Sequence, residues 1–382
     1  MIKSARHVVI LRQLRLRGTV TTEQLAAELG VSVISIRRDL RELERQGQLR
    51  RVHGGATVPR RNARVEGALD VAALGLDPAS ARPDAALAAI GMVVPAAEYY
   101  FSEVIKGASH AARVAGVQLI LGVTHYTRSK EVQMVRHMGR LGMDAIIFTP
   151  SDHDVSAPEV RALLADPPAP LILLERDCGM LLDTPDVNSV RTDHALGAEL
   201  AVRHLHGRGK RRLALMTIPN ATEPQLKRGF AAAVAALGMD SASIDLGLTE
   251  AERGQWAHKP DLFADRFLDL VLKEGADGLV VNPDMHAVTF ARALVARGRQ
   301  VPDDIAIVAY DDEIAHLCEV PTTAVAPPKF DLGANAISLA LQRVRAAAEG
   351  RRFATVRSTL VPVLKVHSGS QVHAPGTWHP ES

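Results

Sequence analysis

Residues 22–56 read TEQLAAELGVSVISIRRDLRELERQGQLRRVHGGA. Leu25 and Leu29 stand four apart, so Thr22 to Leu29 predicts a short helix with one apolar face, capped by Thr21 or Thr22. Gly30 supplies a turn, and Ser32 is suited to cap a second helix. In that helix Ile36, Leu40 and Leu43 recur at spacings of four and three, which makes a core-facing stripe. Arg37, Arg41 and Arg45 share a different face, with Arg38 beside it. A short basic hairpin through Gly47 to Ala56 follows. Two helices joined by a tight turn and closed by a basic hairpin form the layout of a winged helix-turn-helix.

In that motif the N-terminal part of the second helix enters the major groove. Ser32, Val33, Ile34, Ser35, Arg37, Arg38 and Arg41 are therefore the candidates to reach DNA. Arginine can pair with a guanine edge or only position the protein on phosphate, and the sequence does not sort these roles. The bland alternative is a solvated helix face whose arginines pair with Asp39, Glu42 and Glu44. Charge distribution argues against it. Residues 1–62 hold 13 Lys and Arg against 5 Asp and Glu, a net charge of +8, whereas the rest of the chain holds 32 against 38, a net of −6. A near-neutral protein with its positive excess in one small terminal unit carries the electrostatic footprint of a nucleic-acid reader, and the partner implied is a double-stranded DNA operator.

The segment resembles the N-terminal domain of the DeoR family of bacterial transcription regulators. The pieces that carry the resemblance are a first helix around Arg6 to Arg17, Leu29-Gly30-Val31-Ser32, Ile36-Arg37-Arg38-Asp39-Leu40, and Gly47 to Ala56, ending Arg-Arg-Val-His-Gly-Gly-Ala. Ser35 stands where the family usually has threonine and keeps the hydroxyl. The resemblance implies that Arg50, Arg51 and His53 lie on or beside the wing, near the DNA backbone.

A length of 382 residues is too much for one small DNA-binding unit and suggests two or three compact units. Two cysteines, Cys178 and Cys318, argue against a disulfide framework and suit a reducing compartment. The sequence shows neither a signal peptide nor an unbroken apolar run of membrane-spanning length, so a cytoplasmic protein without membrane association is expected. No Gly-x-Gly-x-x-Gly follows a predicted strand, and neither a phosphate-binding Gly-x-x-x-x-Gly-Lys-Ser/Thr nor a Gly-x-Ser-x-Gly elbow occurs. His204 and His206, two apart on a helix, face different ways. No catalytic residue, metal site or cofactor is expected. Residues 58–86, with Pro59, Pro78 and Pro83 and four arginines, read as a linker with a short helix near Val71 to Leu74. Residues 371–382 read as a flexible tail.

From Ala86 onward apolar, β-branched segments alternate with amphipathic ones. The strands predicted are Ala89 to Val94, Val117 to Gly122, Ala145 to Thr149, Leu171 to Leu174, Leu213 to Thr217, Gly278 to Val281 and Ile305 to Ala309. Helical runs include Tyr100 to Ala115, Lys130 to Leu141 and Leu196 to His206. This alternation signals βαβ units around parallel sheets buried on both faces, enough for two α/β lobes. In such sheets ligands bind at the carboxyl ends of the strands. The chain has 14 aromatics, and Tyr99, Tyr100 and Phe101 follow the first strand in a row. All three cannot face inward on one helix, so at least one is expected to be available to a ligand. Other strand ends bring Thr124, Ser151, Arg176, Asp284 and Asp311, and Asp193 lies ahead of a helix. Helix capping is the competing role for Asp193 and Asp284.

This part resembles the effector-binding domain of the LacI family, itself similar to periplasmic sugar-binding proteins. The residues that carry the resemblance are Ile90-Gly91, Tyr100-Phe101-Ser102-Glu103, Val187 to Gly197, Gly229-Phe230, Val301 to Asp312 with Pro321-Thr322-Thr323, and Leu332-Gly333. It implies an α/β fold, a two-lobed sensor of doubly wound parallel sheets preceded by the small winged helix-turn-helix. It also implies three crossovers, a homodimer, and a small-molecule effector, often a sugar, in the cleft. Matching positions make Tyr100 and Phe101 stacking or wall residues, and Asp193 and Asp311 polar contacts. Where many members place an effector-binding arginine three residues before the Gly-Phe pair, this chain has Leu226, so Lys227 or Arg176 substitutes or the ligand differs in kind. The hinge helix of LacI-type heads is not recognisable in residues 57–86. The division expected is a head at 1–57, a linker at 58–86, an effector domain at 87–370 and a tail. A ligand-controlled repressor is the favoured reading. A DeoR-type regulator with a sugar-phosphate isomerase-like sensor, and a sugar-binding protein of uptake, are the alternatives.

Overall fold

The computed structural model describes residues 6–14 apart from 8 and 12, 19–45, 49–57 apart from 53, 88–151, 157–176, 187–242 apart from 219, and 260–367 apart from 318, 319 and 321. The linker helix near Val71, the tail, His53 and both cysteines lie outside the described residues.

The head is built as its apolar spacing requires. Thr21 caps α1 (Thr22–Leu29), accepting from the Gln24 N–H, and Gly30 leaves the helix in the left-handed conformation at φ 62°. Ser32 Oγ accepts from the Ser35 N–H to start α2 (Val33–Arg45). Ile36, Leu40 and Leu43 bury against Ile10, Leu14, Val20, Leu25 and Leu49. Strands β1 (Thr19–Thr21), β2 (Arg50–Val52) and β3 (Gly55–Thr57) form one antiparallel sheet with β3 in the centre, so the basic hairpin is paired back to the chain ahead of α1.

Two six-stranded sheets follow. The first takes β4 (Ala89–Val94), β5 (Gln118–Val123), β6 (Ala145–Phe148), β7 (Leu171–Leu174), β8 (Asn188–Thr192) and, from far along the chain, β14 (Arg357–Leu360). Their order is β14-β8-β7-β6-β4-β5, all parallel. Helices α3 (Tyr100–Val114), α4 (Arg128–Arg140) and α5 (Pro158–Ala165) cover it. The second sheet takes β9 (Arg212–Thr217), β10 (Asp240–Ala242), β11 (Gly278–Asn282), β12 (Ala306–Tyr310), β13 (Thr323–Ala326) and β15 (Val363–Lys365). The order is β10-β9-β11-β12-β13-β15, with only β15 antiparallel. It packs against α6 (His194–Gly207), α7 (Glu223–Ala236), α8 (Pro260–Lys273) and α9 (Asp284–Ala296). The core strands are buried along their whole length, as parallel strands covered on both faces must be.

The chain passes between the lobes three times: from β8 into α6, from β13 into α10 (Lys329–Ala348), which packs on the first lobe, and from β14 to β15. The fold class read from the sequence therefore holds. The strands missed were β8, β10, β13, β14 and β15. β8 holds Asn188, Arg191 and Thr192, and β14 Arg357 and Ser358, so neither reads as an apolar run.

Helices α3 and α10 approach until backbone meets backbone. A Cβ on Gly333 would lie 1.9 Å from the Val104 carbonyl oxygen, and one on Gly107 1.9 Å from that of Phe330. Gly333→Ala is expected to destabilise the protein by at least about 1–3 kcal/mol, because no flexible side chain can give way; thermal unfolding reads it as a lowered Tm.

Candidate nucleic-acid interface and interlobe cleft

On α2 the sequence places a charged stripe opposite an apolar one, and the fold exposes it. Ser32, Arg37, Arg38 and Arg41 are exposed, and the three arginines make no ion pair among the described residues. Ile34 is 76% exposed. Ser35 is half-buried, its hydroxyl 3.0 Å from that of Ser32. Val33 packs in part on the head core, so this candidate is a support for the helix rather than a free side chain. The acids do not neutralise the face. Asp39 is fully buried and takes Arg6 Nε at 2.8 Å, with His7 Nε2 at 3.4 Å, which ties the helical residues at 6–14 to α2. Glu44 turns to the hairpin, accepting the Arg51 N–H at 2.9 Å with the Arg51 guanidinium at 3.7 Å. Arg51 thus anchors the wing to α2, while Arg50 is exposed. Asp39→Ala removes the buried carboxylate that Arg6 bonds, and a loss of about 3–5 kcal/mol from the head is expected; it would show as an early unfolding transition with DNA binding lost alongside.

Between the lobes, strand ends deliver polar groups that bond to one another. Glu175 follows β7 in the left-handed region at φ 57° and is buried. Its carboxylate accepts the Thr192 N–H at 2.9 Å, the Thr192 hydroxyl at 2.7 Å and the Tyr100 hydroxyl, with His194 Nε2 3.5 Å away. Burial pushes this carboxyl up, but the hydrogen bond and charge of His194, the Thr192 N–H and the Tyr100 hydroxyl outweigh it and hold it at about 2. His194 Nδ1 lies 3.1 Å from the Tyr310 hydroxyl. Glu175 belongs to the first lobe, and His194 and Tyr310 to the second.

Three further bridges cross the cleft. The Tyr99 hydroxyl donates to Asp284 Oδ1, while Asp284 Oδ2 accepts the N–H groups of Glu313, Ile314 and Ala315 at 2.7, 2.6 and 3.0 Å. Lys329, at the start of α10, donates to the Asp311 carbonyl, pairs with Glu313 and lies 5.6 Å from the centroid of the Tyr100 ring. Arg191 donates to Gln225 Oε1 at 2.7 Å. Asp311, at φ 96°, accepts from Asn282 at 3.3 Å. Burial, against the opposing charge of Lys329 and with the help of Asp284, Glu313 and Glu175, raises its carboxyl to about 8.

The expected cleft residues therefore divide. Tyr99, Tyr100, Arg176, Asp284 and Asp311 converge, but Tyr99 and Asp284 bond to each other across the cleft and Tyr100 bonds to Glu175 of its own lobe. Phe101, expected as a wall residue, is a core residue set edge-on to Tyr100, so none of the three consecutive aromatics stands free. The helix starts one residue later than Tyr99, which lets that side chain reach the other lobe. Tyr126, 64% exposed just past β5, is the open aromatic, and the sequence reading passed over it. Asp193 caps α6 through the Leu196 N–H at 2.9 Å. Thr124 is buried with its hydroxyl 3.4 Å from the Val94 carbonyl, and Ser151 is held by buried Glu131. Lys227 is 63% exposed and paired with Glu223 at 2.6 Å, while Leu226 is a core residue. Of the two substitutes expected for an arginine there, Arg176 is the one in the cleft. It bonds the Glu175 carbonyl at 2.7 Å, and its Nε is buried without a hydrogen-bond partner among the described residues. Glu175 stands beside Arg176 at a strand end and reads as a cleft candidate on that ground, whereas Arg191, His194, Tyr310 and Lys329 were not singled out, although Arg191, His194 and Tyr310 lie within the stretches that carry the LacI resemblance.

Residues 6–62 match the DeoR-like helix-turn-helix domain. Residues 88–263 match the periplasmic binding proteins and sugar-binding domain of the LacI family, and residues 202–365 a periplasmic-binding-protein-like domain. These matches divide the chain into a DeoR-like helix-turn-helix head and a periplasmic-binding-protein-like domain. The arabinose metabolism transcriptional repressor of Geobacillus stearothermophilus is 25% identical over 333 residues, 85% of this chain and 84% of that protein. The ribose operon repressor of Escherichia coli K12 is 25% identical over 67% of this chain and 75% of its own length. Among solved structures, the complex of the transcriptional regulator CelR with cellobiose matches at a TM-score of 0.59 and 19% identity. It covers 91% of this chain and 99% of CelR, and shows the fold. The relatives are transcriptional regulators rather than enzymes, and the two-lobed parallel architecture does not support an isomerase-like sensor. Among the described residues no group of His, Cys, Asp or Glu is arranged to hold a metal, and no helix is long and apolar enough to cross a membrane.

The raised Asp311 carboxyl has a sign that can be tested. Its folded value lies above the ordinary 3.8, so its contribution to stability is complete below about 3.8 and is lost as pH rises through about 8. Asp311→Asn, which tolerates a left-handed backbone, is expected to flatten the decline in Tm between pH 5 and pH 9 relative to the native chain.

Proposed function

We infer that this protein is a DNA-binding transcriptional repressor whose operator affinity is set by a small-molecule effector in the interlobe cleft. The observation that carries the reading is the pairing, in one chain, of an unpaired arginine face on α2 with a two-lobed domain bridged across its cleft. The head reads DNA with Arg37, Arg38 and Arg41 on α2, with Arg50 as a wing contact to phosphate. Acting as a homodimer in the cytoplasm, two such heads address two half-sites. The divisions at residues 57, 86 and 370 separate reader, linker, sensor and tail.

The effector is a sugar or a related polar metabolite. Arabinose and ribose are named for relatives of this chain, and strand-end groups suit hydroxyls. Arg176 offers an unsatisfied buried guanidinium N–H, Tyr126 an open ring, and Asp311, protonated near neutral pH, a hydrogen-bond donor. A ligand that bonds these groups competes with the Tyr99–Asp284 and Lys329–Glu313 bridges. Its differential affinity for the closed and reopened cleft then shifts lobe geometry and with it the spacing of the heads.

Fluorescence anisotropy of the full chain on duplexes from its own upstream region, at fixed salt, with a panel of sugars and sugar phosphates, tests both halves. The Arg37→Ala/Arg38→Ala variant is expected to lose specific binding while its Tm still responds to the effector. Wild-type affinity in that variant would remove α2 from the interface.

A further inference from the structure

The end of the first lobe away from the cleft carries a feature that effector binding does not use. Strands β4, β6 and β7 are parallel and in register, so residues 88, 144 and 170 share the edge at which the strands begin. Residue 88 is where the chain arriving from the head enters this lobe. Pro170 lies two strands away, about 10 Å at ordinary strand spacing. Around it Arg343, Arg351, Arg352, Ala347 and Phe353 line a surface pocket of about 230 Å³.

Three guanidinium groups around one hollow repel each other unless something anionic sits among them. The protein does not supply enough. Arg351 has Glu349 at 3.2 Å, a pair more than half exposed on both sides. Arg343 and Arg352 form no ion pair among the described residues, and Arg343 Nε is buried without a hydrogen-bond partner. An arginine in the last turn of a helix complements its dipole, which accounts for Arg345, whereas Arg343 lies before that turn. Arg351 and Arg352 lie past the C-cap Glu349, where that explanation ends. The planar forks suit phosphate oxygens, and the pocket opens on the edge from which the DNA-binding head is tethered.

We propose that this pocket seats a backbone phosphate of the DNA held by the head, so that the sensor domain itself is a second, sequence-independent contact with the duplex. The proposal rests on the DNA-binding reading above. Each neutralised phosphate steepens the fall of log affinity with log salt by about 0.9.

The test is a salt titration of the full chain on its operator and on an unrelated duplex of equal length. The Arg343→Gln/Arg351→Gln/Arg352→Gln variant is expected to show a slope shallower by about 0.9 per protomer, about 2 for a dimer, and a roughly tenfold or greater loss of affinity at low salt, alike on both duplexes. Slope and affinity equal to wild type would overturn the proposal. Should the triple variant melt early, Arg352→Gln at its exposed side chain decides, with a slope shallower by about one expected and an unchanged slope overturning it. A wild-type chain that binds neither duplex removes the repressor reading and the pocket with it. Wild-type binding with an unmoved variant slope removes the pocket alone.

Discussion

The buried Glu175 carboxylate is the group on which the two-lobed domain depends. It sits at the end of a first-lobe strand, in a backbone conformation that a non-glycine residue adopts only when its surroundings hold it there. Its oxygens collect Thr192, Tyr100 and His194, the last two from opposite lobes. A buried charge is tolerated only with such a complete set of partners. Parting the lobes at this point breaks the His194 contact and exposes the carboxylate to water, while Thr192 and Tyr100, of its own lobe, stay bonded to it. Two other bridges, Tyr99 to Asp284 and Lys329 to Glu313, also join the lobes.

The same logic shapes the head. Asp39 lies in the middle of a helix rich in arginines, yet it faces inward and takes Arg6. Consuming the acid internally leaves Arg37, Arg38 and Arg41 without competitors on the outer face. Glu44, near the end of the helix, is used to hold the wing. Asp39 and Glu44 are thus engaged within the head, and the arginine face is left for an external anion, which favours phosphate and base edges in a duplex.

Much of the architecture was legible because it follows from periodicity. Ile36, Leu40 and Leu43 set the packing face of α2, and apolar runs such as Ala145 to Phe148 can only be strands buried on both sides. β8 and β14 were not legible: they pair with each other at the sheet edge and carry Arg191, Thr192, Arg357 and Ser358. Among cleft residues, Asp193 reads correctly as a cap once its helix is seen, whereas Asp284 caps a loop some thirty residues away, which no local pattern reveals.

The sequence by itself determined the head, the two parallel sheets and the arginine stripe, because helix and strand periods, caps and net charge are local properties of the chain. Only the tertiary structure decided which polar groups of the cleft remain available. Tyr99 and Asp284, which in one dimension look like ligand contacts, bond to each other across the cleft, and Tyr100 bonds to Glu175 of its own lobe. Arg176 keeps an unsatisfied donor, and Tyr126 stays open. The reason is that a hydrogen bond is a matter of distance between groups up to 185 residues apart, and crossovers rather than spacing bring them together.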